Sequence, residues 1–373
     1  MKLAIERAAL LKSLGHVQSV VERRTTIPIL SNVRLEAGNG SLSLTATDLD
    51  LSVVETTEAD VAQPGATTAP AHTLYDVVRK LPEGARVTIE RSASGGEITL
   101  RSGRATFDLP CLPADEFPTM GDEGLEHGFA LSAADLRKLI DRTRFAISTE
   151  ETRYYLNGIY FHTVDDGEGR LRAVATDGHR LSRVEIPLPE GAAGMPGVIV
   201  PRKTIGELRK LIDELDAEAP VGIRLSNARI RFEVGPAVLR SRLIDGTFPD
   251  YERVIPTGND KLMVAPNKQL AEAIDRVATI STDRSRAVKL SLSDGRLTLS
   301  AVSAEAGRAV EELDVSYAGE PLEIGFNARY MLDMSGQIEG DDIELAIADA
   351  ASPMIVRDPK DSSTLYVLMP MRV

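Results

Sequence analysis

Residues 41–48 read Ser-Leu-Ser-Leu-Thr-Ala-Thr-Asp, an alternation of polar and apolar side chains that is typical of a half-buried β-strand. The pattern returns as Leu-Arg-Ala-Val-Ala-Thr-Asp at residues 171–177 and as Arg-Leu-Thr-Leu-Ser-Ala-Val-Ser at residues 296–303. Each copy leads into a second alternating run. A strand pair that recurs at intervals of about 125–130 residues indicates three similar domains.

Helical patterns recur in the same order as the strands. Apolar residues at helical spacing follow a strand end marked by proline or glycine at residues 70–81, 201–211 and 326–334. Further helices are predicted to open the three domains, at residues 6–21, 132–147 and 266–280. Ser132 with Asp135 is typical of an N-terminal helix cap, and Pro266 suits the first turn of a helix. Each domain is therefore predicted to run helix, strands, helix, strands.

A motif ending in Phe-Pro closes the first two repeats. LPADEFP at residues 112–118 returns as LIDGTFP at residues 243–249, whereas the third repeat ends with VLMP at residues 367–370. The junctions between repeats are polar and contain glycine, as linkers commonly do. We predict an α+β protein of three similar domains, over residues 1–127, 128–256 and 257–373.

The composition excludes several classes of protein. Of the 373 residues, 43% are apolar and 27% are charged, and no stretch approaches the roughly eighteen apolar residues needed to span a bilayer. The N-terminus has no apolar signal core, so we expect a cytoplasmic protein. The single cysteine, Cys111, cannot form an internal disulfide, and the scattered histidines do not form a zinc pair. We expect no metal and no cofactor.

The charge of the chain is distributed unevenly. The net charge is −13, which taken alone argues against nucleic-acid binding. The six predicted helices (6–21, 73–81, 132–147, 202–213, 266–280 and 327–337) nevertheless carry a net charge of +6, and the remainder carries −19. Helices place Lys and Arg on their wet faces in any case, so this split alone fits an ordinary protein equally well. Its functional interpretation is a helical surface that meets phosphates without reading sequence.

Several strings, taken together and in order, resemble the β subunit of bacterial DNA polymerase III, the β sliding clamp. The resemblance runs from one end of the chain to the other. It rests on TIPIL (26–30), LTATDL (44–49), RSGR (101–104), RYYLNG (153–158), ATDGHRL (175–181), FPDY (248–251), EIGFN (323–327) and YVLMPMR (366–372).

The resemblance implies a DNA-clamp fold in which each domain packs two helices on antiparallel sheets. Two chains would join head to tail into a ring of six domains that encircles duplex DNA in the nucleoid, with helices inside and sheets outside. The function implied is a processivity factor of the DNA polymerase III holoenzyme, without catalysis. The implied partners are the polymerase catalytic subunit, the clamp loader, translesion polymerases and mismatch-repair proteins, through a peptide of the Gln-Leu…Leu-Phe type.

The family also implies residues that touch DNA. The matching positions with side chains suited to phosphate contact or base stacking are Arg24, Tyr154 and Tyr155. Arg202 and Lys203 at the start of the fourth predicted helix are added as basic candidates. Two positions depart from the family pattern, since His72 replaces a basic residue and an amide position falls near Thr149 or Glu150.

A peptide-docking pocket between the second and third domains is implied as well, and its apolar, methionine-containing lining suits many partners. The matching positions are Leu156, Thr176, Gly178, His179, Arg180, Leu181, Pro249, Arg253, Val254, Pro353, Val367, Leu368, Met369, Pro370, Met371, Arg372 and Val373. Val373 stands where leucine is more usual, and Pro353 where a small polar residue is expected.

The dimer contact is implied to involve Phe107 and Ile280, and the alternative for both is a place in the internal core. Arg104 is expected on the same surface. Acidic side chains that could face it in the partner copy are Glu305, Glu311 and Glu312.

Two other classes of function remain open at this level. A nucleotide-handling enzyme would carry a phosphate loop, and no Gly-x-x-x-x-Gly-Lys motif is present. Asp177, His179 and Ser182 are suitable residue types for hydrolysis, but no nucleophile elbow accompanies them. An inhibitory, clamp-like paralogue would be expected to have lost the tail sequence Met-Pro-Met-Arg at residues 369–372, which is intact.

Overall fold

The computed structural model describes residues 1–92, 95–165, 167–281 and 286–372. Within these ranges the α-helices are α1 Arg7–Gln18, α2 Ala71–Lys80, α3 Ala133–Asp141, α4 Arg202–Asp213, α5 Asn267–Ala278 and α6 Ala328–Ser335. All six coincide with predicted helices, because each has apolar residues at helical spacing that face the sheets.

The strands follow the same order in each third of the chain. The first third contains β1 Lys2–Glu6, β2 Asn32–Gly38, β3 Ser41–Thr47, β4 Leu51–Glu58, β5 Asp60–Gln63, β6 Gly65–Pro70, β7 Arg86–Arg91, β8 Glu97–Ser102 and β9 Ala105–Pro110. The middle third contains β10 His127–Ser132, β11 Gly158–Val164, β12 Arg170–Thr176, β13 Arg180–Pro187, β14 Val198–Pro201, β15 Pro220–Leu225, β16 Arg229–Val234 and β17 Ala237–Arg242. The last third contains β18 Lys261–Pro266, β19 Ala287–Ser293, β20 Arg296–Ser303, β21 Gly307–Asp314, β22 Leu322–Asn327, β23 Asp342–Ile347, β24 Met354–Arg357 and β25 Thr364–Leu368.

The predicted repeat is confirmed, with one correction. The three alternating runs form β3, β12 and β20, which occupy equivalent places in the order of elements. A strand, and not a helix, opens each repeat, since β1, β10 and β18 precede α1, α3 and α5. These opening strands have only five or six residues and run directly into a helix, so their alternation is masked by the helical pattern that follows.

The ends of two helices also differ from expectation. Ser132 caps α3 as predicted, because its Oγ accepts a hydrogen bond from the Asp135 amide at 3.0 Å and donates to the Asp135 carboxylate at 2.8 Å. This helix ends at Asp141 and not at the predicted residue 147. Just beyond its end, the Thr143 hydroxyl donates to the Leu139 carbonyl oxygen at 2.5 Å. Pro266 closes β18 and precedes α5, so it stands just before the first turn.

The second helix of each repeat is capped by the first. The Arg7 guanidinium donates to the Val78 and Arg79 carbonyl oxygens at the end of α2, at 3.2 and 2.6 Å. Arg137 donates in the same way to the Ile212 and Leu215 carbonyl oxygens at the end of α4. The third repeat replaces arginine with an amide, since Asn267 Nδ2 donates to the Ser335 carbonyl oxygen at 3.1 Å. These bonds satisfy carbonyl groups that a helix end leaves without partners.

The chain divides into two compact units. Unit 1 comprises residues 1–137, 189–196 and 203–243. It contains a five-stranded sheet, β5-β1-β7-β8-β9, and an eight-stranded sheet, β10-β15-β16-β17-β4-β3-β2-β6. The eight-stranded sheet joins strands of the first and middle repeats through the antiparallel pair β4–β17.

Unit 2 comprises residues 138–188, 197–202 and 244–373. Its eight-stranded sheet, β14-β11-β12-β13-β25-β24-β23-β18, has the strand order of the corresponding sheet in unit 1, one repeat later. Strands of the middle and last repeats meet in the pair β13–β25. A four-stranded sheet, β21-β20-β19-β22, packs on α5 and α6 around buried Leu270, Phe326 and Met331. Among the described helices, none is both long and apolar enough to cross a membrane.

Candidate functional site

The ATDGHRL motif forms the turn between β12 and β13 in unit 2. The Thr176 hydroxyl donates to the Arg180 carbonyl oxygen at 2.7 Å and accepts from the Gly178 amide at 3.1 Å. The Asp177 carboxylate accepts from the amides of His179 and Arg180 at 2.9 and 3.0 Å. Gly178 has φ +86°, and a Cβ placed there would lie 2.3 Å from Arg153 Nη1. The positive φ therefore favours glycine in this turn, and any larger residue would also displace the end of the Arg153 side chain.

A concave site of about 280 Å³, here called the apolar cavity, lies beside this turn. Its lining combines residues of the middle and last repeats, all within unit 2, and is mostly hydrophobic. The lining residues are Arg153, Tyr155, Leu156, Thr176, Gly178, Arg180, Leu181, Pro249, Asp250, Tyr251, Val254, Val367 and Met369. Nine of the predicted pocket positions are thus brought together at one place.

Aromatic rings pack around Tyr251, one of the residues that line the apolar cavity. Tyr160 stacks on Phe248 with ring centroids 4.8 Å apart, and on its other side His162 stacks at the same distance. The Tyr251 hydroxyl and His162 Nε2 are 2.9 Å apart. Burial lowers the pKa of His162, which favours its neutral ring at neutral pH. Tyr251 therefore reaches the lining of the apolar cavity from a packed cluster of aromatic rings.

Arg180 fixes the rim of the apolar cavity. Its side chain is only 8% exposed and donates to the Asp333 carboxylate at 2.5 Å and to the Phe145 carbonyl oxygen at 2.6 Å. It also bonds Asp177 at 3.1 Å and lies over the Tyr330 ring, 4.3 Å from the centroid. Every nitrogen of the guanidinium therefore has a partner within unit 2. Arg180 holds the shape of the cavity rim by these bonds.

The C-terminal tail leaves the sheet next to the apolar cavity. The Met369 amide donates to the His179 carbonyl oxygen at 2.9 Å, and the Met371 amide to that of Gly325 at 2.8 Å. Pro370, Met371 and Arg372 line a separate, more open depression of about 520 Å³ and not the apolar cavity. Leu368 is fully buried in the core. Val373 lies outside the described residues.

The other predicted pocket residues lie outside the lining of the apolar cavity. The exposed His179 ring stacks on Tyr330. Arg253 is exposed and pairs with Asp250 at 2.6 Å. The Pro353 carbonyl oxygen accepts from Asn259 Nδ2 at 2.9 Å. These three positions do not share the apolar lining that the other nine form.

Some predicted DNA-contact residues are exposed, and the others pack against or bond to groups of their own chain. Arg24, Thr149 and Arg202 are exposed, and the Tyr154 ring is 53% exposed. Tyr155 lines the apolar cavity, with its ring 5.8 Å from that of Tyr154. Exposure leaves the first four free to meet a polyanion or a base, whereas Tyr155 is shared with the cavity.

Lys203 and His72 are held by their own chain. The Lys203 ammonium bonds the carboxylates of Glu22 and Asp48, the latter at 2.7 Å. Burial lowers the pKa of Lys203, but these two bonds raise it by more. The ring nitrogens of His72 meet the Gln18 side-chain oxygen at 2.9 Å and the Val21 carbonyl oxygen at 3.0 Å. Both side chains are less available to DNA than their sequence positions predict.

Most helix cations are likewise paired within the chain, which reduces the free positive charge of the predicted surface. Lys12 pairs with Glu214, Arg209 with Asp213 and Arg276 with Glu311, each at 2.6 Å. Among the residues that the structure describes, the helix cations without a carboxylate or carbonyl partner are Lys80, Arg202, Lys268 and Arg329.

The predicted dimer residues lie at or near sheet edges. Phe107 is half-buried on β9, an edge strand of the five-stranded sheet in unit 1, and Arg104 is exposed just before it. Ile280 is half-buried and packs against the core of unit 2 beyond the end of α5. Glu311 is on β21, an edge strand of the four-stranded sheet, and holds Arg276.

The residue types that suggested hydrolysis do not assemble. The Asp177 carboxylate caps the turn, the His179 ring stacks on Tyr330, and the buried Ser182 hydroxyl donates to the Arg142 carbonyl oxygen at 2.5 Å. Over the described part of the chain, no group of three His, Cys, Asp or Glu side chains could hold a metal ion.

Sequence reasoning missed four cavity residues as lining positions: Arg153, Asp250 and Tyr251, together with Tyr155, which was predicted only as a DNA contact. The signal was present, because FPDY and RYYLNG were both singled out as motifs. It also missed a row of outward-facing arginines on β15, β16 and β17, formed by Arg224, Arg231 and Arg240 in direct register. Their alternation with apolar residues is visible in RIRFEV and AVLRSR.

Comparisons with known proteins agree with this architecture. Three family models, described as the N-terminal, central and C-terminal domains of the DNA polymerase III beta subunit, match residues 1–121, 130–250 and 252–372. The chain is 57% identical over 374 residues to the beta sliding clamp of Caulobacter vibrioides, and 39% identical over 378 residues to that of Escherichia coli K12. Both alignments cover 100% of each chain.

Solved structures give the same result. A Caulobacter crescentus beta sliding clamp with bound polyethylene glycol superposes with a TM-score of 0.96 at 57% identity. A Bartonella birtlesii sliding clamp bound to griselimycin superposes with a TM-score of 0.97 at 50% identity. Both comparisons cover 100% of each chain.

The chain belongs to the family of DNA polymerase III beta subunits, the sliding clamps. It has the three-domain clamp fold, and its function is that of a sliding clamp in DNA replication, a non-catalytic processivity factor that acts with DNA and polymerase. Neither an inhibitory paralogue nor a nucleotide-handling enzyme is favoured by these relatives.

Proposed function

We propose that two copies of the chain close head to tail into a ring around duplex DNA, and that the apolar cavity captures its partner proteins. The apolar cavity is the observation that carries the proposal. It offers a preformed hydrophobic site with two flexible or exposed apolar side chains, Met369 and Val254, at its mouth. Such a site suits a short peptide that inserts two or three apolar side chains.

The occupants we propose are peptides of the Gln-Leu…Leu-Phe type. They would belong to the polymerase catalytic subunit, the clamp loader, translesion polymerases and mismatch-repair proteins. The apolar side chains of such a motif match a lining that contains Leu156, Leu181, Val367 and Met369. One shared motif would make these partners compete for one site.

Edge strands support the proposed dimer. In unit 1, β9 lies at one edge of its sheet, and in unit 2, β21 lies at an edge with Val310 exposed. Unpaired edge strands favour association with another strand. Pairing β9 of one copy with β21 of the next would cover both edges and place Phe107 at the contact, with Arg104 facing Glu305 or Glu312. Such a heterologous contact closes into a ring when its rotation closes.

The proposed DNA surface is the set of exposed cations and aromatic groups. Arg24, Arg202, Thr149 and Tyr154 remain candidates, and Lys80, Lys268 and Arg329 join them as unpaired helix cations. A ring retains DNA by enclosing it, so weak and sequence-independent contacts suffice. We place the protein in the cytoplasm at the nucleoid, with domains over residues 1–127, 128–256 and 257–373.

Peptide titration tests the cavity. A fluorescent peptide with the Gln-Leu…Leu-Phe type motif is titrated with the wild-type chain, with Val254→Ala/Met369→Ala and with a chain that lacks residues 369–373. We expect about a tenfold or greater loss of affinity in the double variant, which corresponds to about 1.4 kcal/mol, and loss of binding in the truncation. Val302→Ala, a change at an exposed valine on β20, is the matched control and should bind normally. Unchanged affinity in the truncated chain would remove the cavity assignment.

Solution mass and imaging test the ring separately. Negative-stain images of the purified chain should show a central hole, and the mass should be twice 40.3 kDa. The change Phe107→Asp should shift the mass towards the monomer, because it places a charge at the proposed contact. A solid particle of monomer mass for the wild-type chain would contradict the ring.

A further inference from the structure

Unit 1 contains a copy of the turn that borders the apolar cavity. The Thr47 hydroxyl donates to the Leu51 carbonyl oxygen at 2.9 Å and accepts from the Leu49 amide at 3.0 Å. The Asp48 carboxylate accepts from the amides of Asp50 and Leu51 at 3.0 and 2.7 Å. This bonding pattern is the one found at Thr176 and Asp177, one repeat later.

A second concave site, here called the arginine cavity, lies beside this turn within unit 1. Its volume is about 440 Å³, and its lining includes Thr47, Leu49, Pro118, Met120, Arg229 and Arg242. Backbone bonds place it in the same framework as the apolar cavity. The Arg242 amide donates to the Asp50 carbonyl oxygen at 2.8 Å, as the Met369 amide does to that of His179. Arg242 therefore stands where unit 2 has Met369.

The two arginines of this cavity repel each other and lack strong partners. Arg229 and Arg242 are direct register partners on β16 and β17, and like charges at such positions are unfavourable. Their nearest carboxylates are Glu123, 3.8 Å from Arg229, and Asp50, 3.6 Å from Arg242. Within the described ranges neither guanidinium donates a hydrogen bond, whereas the neighbouring Arg240 binds Asp122 at 2.5 and 2.9 Å.

Apolar side chains lie beside these charges. Leu49 is 42% exposed and occupies the left-handed region, with φ +83°, where a bulky side chain is unusual. Pro118 and Met120 line the same cavity. The site thus offers two exposed guanidinium groups, each with only a distant carboxylate neighbour, next to an accessible hydrophobic surface.

We propose that the arginine cavity binds an acidic peptide in which a carboxylate side chain adjoins an aliphatic one. The carboxylate would bridge Arg229 and Arg242 and relieve their repulsion, since guanidinium groups bind carboxylates through paired hydrogen bonds. The aliphatic side chain would pack on Leu49 and Met120. Duplex DNA fits less well, because an evenly charged phosphate backbone has no aliphatic group to pack on Leu49 and Met120.

Fluorescence anisotropy with synthetic peptides tests this site. The probe is a labelled, end-blocked hexapeptide of alternating leucine and glutamate, titrated with the full chain at low ionic strength, and the comparison peptide has glutamine in place of glutamate. We expect saturable binding of the glutamate peptide and at least about tenfold weaker binding by Arg229→Gln/Arg242→Gln. Arg296→Gln is the matched control, because Arg296 is 57% exposed and its nearest carboxylate is 3.5 Å away; its affinity should stay within about twofold.

Three results of the peptide titrations would overturn the proposal. They are no binding of the glutamate peptide by the wild-type chain, equal binding by the double variant, and an equal loss in Arg296→Gln. A further result would also overturn it: the double variant loses affinity for duplex DNA while the wild-type chain binds no peptide. The two arginines would then be assigned to DNA binding.

Two further measurements keep these outcomes interpretable. If the double variant does not fold, Arg242→Met, which copies the residue of unit 2, provides the same comparison. The Gln-Leu…Leu-Phe type peptide should bind every arginine variant normally, so failure at the arginine cavity is distinguishable from failure at the apolar cavity.

Discussion

The apolar cavity of unit 2 and the arginine cavity of unit 1 are built on one backbone framework and differ in chemistry. Both lie beside a turn in which a threonine and an aspartate bond the same amides and carbonyls. Gly178 and Met369 in one correspond to Leu49 and Arg242 in the other. Because the threonine and aspartate maintain the turn and backbone hydrogen bonds maintain the strand register, the other side chains around the turn are free to specialise. A repeat therefore preserves a site's geometry without preserving its ligand.

The same contrast extends to the ion networks that hold the helices. In unit 1, His16 on α1 lies between Glu55 and Glu214, with nitrogen–oxygen distances of 2.5 and 2.8 Å. In unit 2, Arg142 after α3 lies between Asp361 and Glu339. Burial raises the pKa of Asp361, but hydrogen bonds from Ser363 and Thr364 lower it to about 2. Unit 1 thus uses a histidine, whose charge can be lost as the pH rises, where unit 2 uses an arginine, which stays charged.

The largest expected effect is on this helix network. His16→Gln should lower the free energy of unfolding by about 3 kcal/mol at pH 6, because Glu55 is only 2% exposed and loses its charged partner. The hydrogen bond to Glu55 raises the pKa of His16 despite the opposing effect of burial. The contribution of His16 is therefore complete below its unfolded pKa of about 6.5 and is lost as the pH rises through the folded pKa.

Urea unfolding of wild type and variant at pH 6 and pH 9.5 measures this difference. We expect the gap between them to narrow at the higher pH. Arg142→Gln is the matched control in unit 2, and its loss should be the same at both pH values because arginine stays charged. If the stability losses of the two variants changed with pH in the same way, the two networks would not differ in their pH dependence.

A smaller effect is expected where the arginine row of unit 1 holds the segment between the first two repeats. Asp122→Asn should lower the free energy of unfolding by about 1 kcal/mol, since this side chain is 40% exposed and solvent screens its pairs. The hydrogen bond to Arg240 lowers the pKa of Asp122, so its contribution is present above the unfolded value of about 3.9 and disappears as the pH falls through the folded pKa.

Thermal or urea unfolding at pH 7 and near pH 2.5 measures this effect. Glu123→Gln serves as the control, because Glu123 is almost fully exposed and lies 3.8 Å from Arg229; it should leave stability unchanged. A loss in Asp122→Asn that persists at the acid end would show that the carboxylate charge is not the cause.

The smallest effect concerns the turn itself. Leu49→Gly should raise the free energy of unfolding by about 0.5–1 kcal/mol, because leucine at φ +83° is strained and its exposed side chain buries little. Gly178→Ala should have the opposite sign, since alanine is strained at φ +86° and its Cβ would displace the end of the Arg153 side chain. Paired urea curves measure both changes. If both substitutions changed the free energy of unfolding in the same direction, the two turns would not be equivalent.

Local patterns made most of the fold predictable. The period-2 runs now seen as β3, β12 and β20, and the helical spacing of α1 to α6, depend only on neighbouring residues. The opening strands, such as β1, were missed because five residues give too little alternation before a helix begins. The helical pattern of α3 continues beyond Asp141 in the sequence, so its end could not be located from spacing alone.

The candidate site was predictable only in part. Nine lining residues of the apolar cavity followed from the family resemblance, whereas the engagement of Lys203 by Glu22 and Asp48 could not be read from a basic helix. His16 meets Glu55 and Glu214 across 39 and 198 residues, and no sequence pattern connects groups so far apart. Long-range polar pairing is set by tertiary packing, which a single sequence does not display.

Arg180 has a consequence for the timing of partner exchange. Because its guanidinium is tied to Asp177, Asp333 and the Phe145 carbonyl oxygen, the rim of the apolar cavity is already in place before any peptide arrives. Binding to a prepared site needs little rearrangement, so related peptides should enter at similar rates. Competing partners would then be ranked by residence time, and the one that leaves most slowly would keep the site.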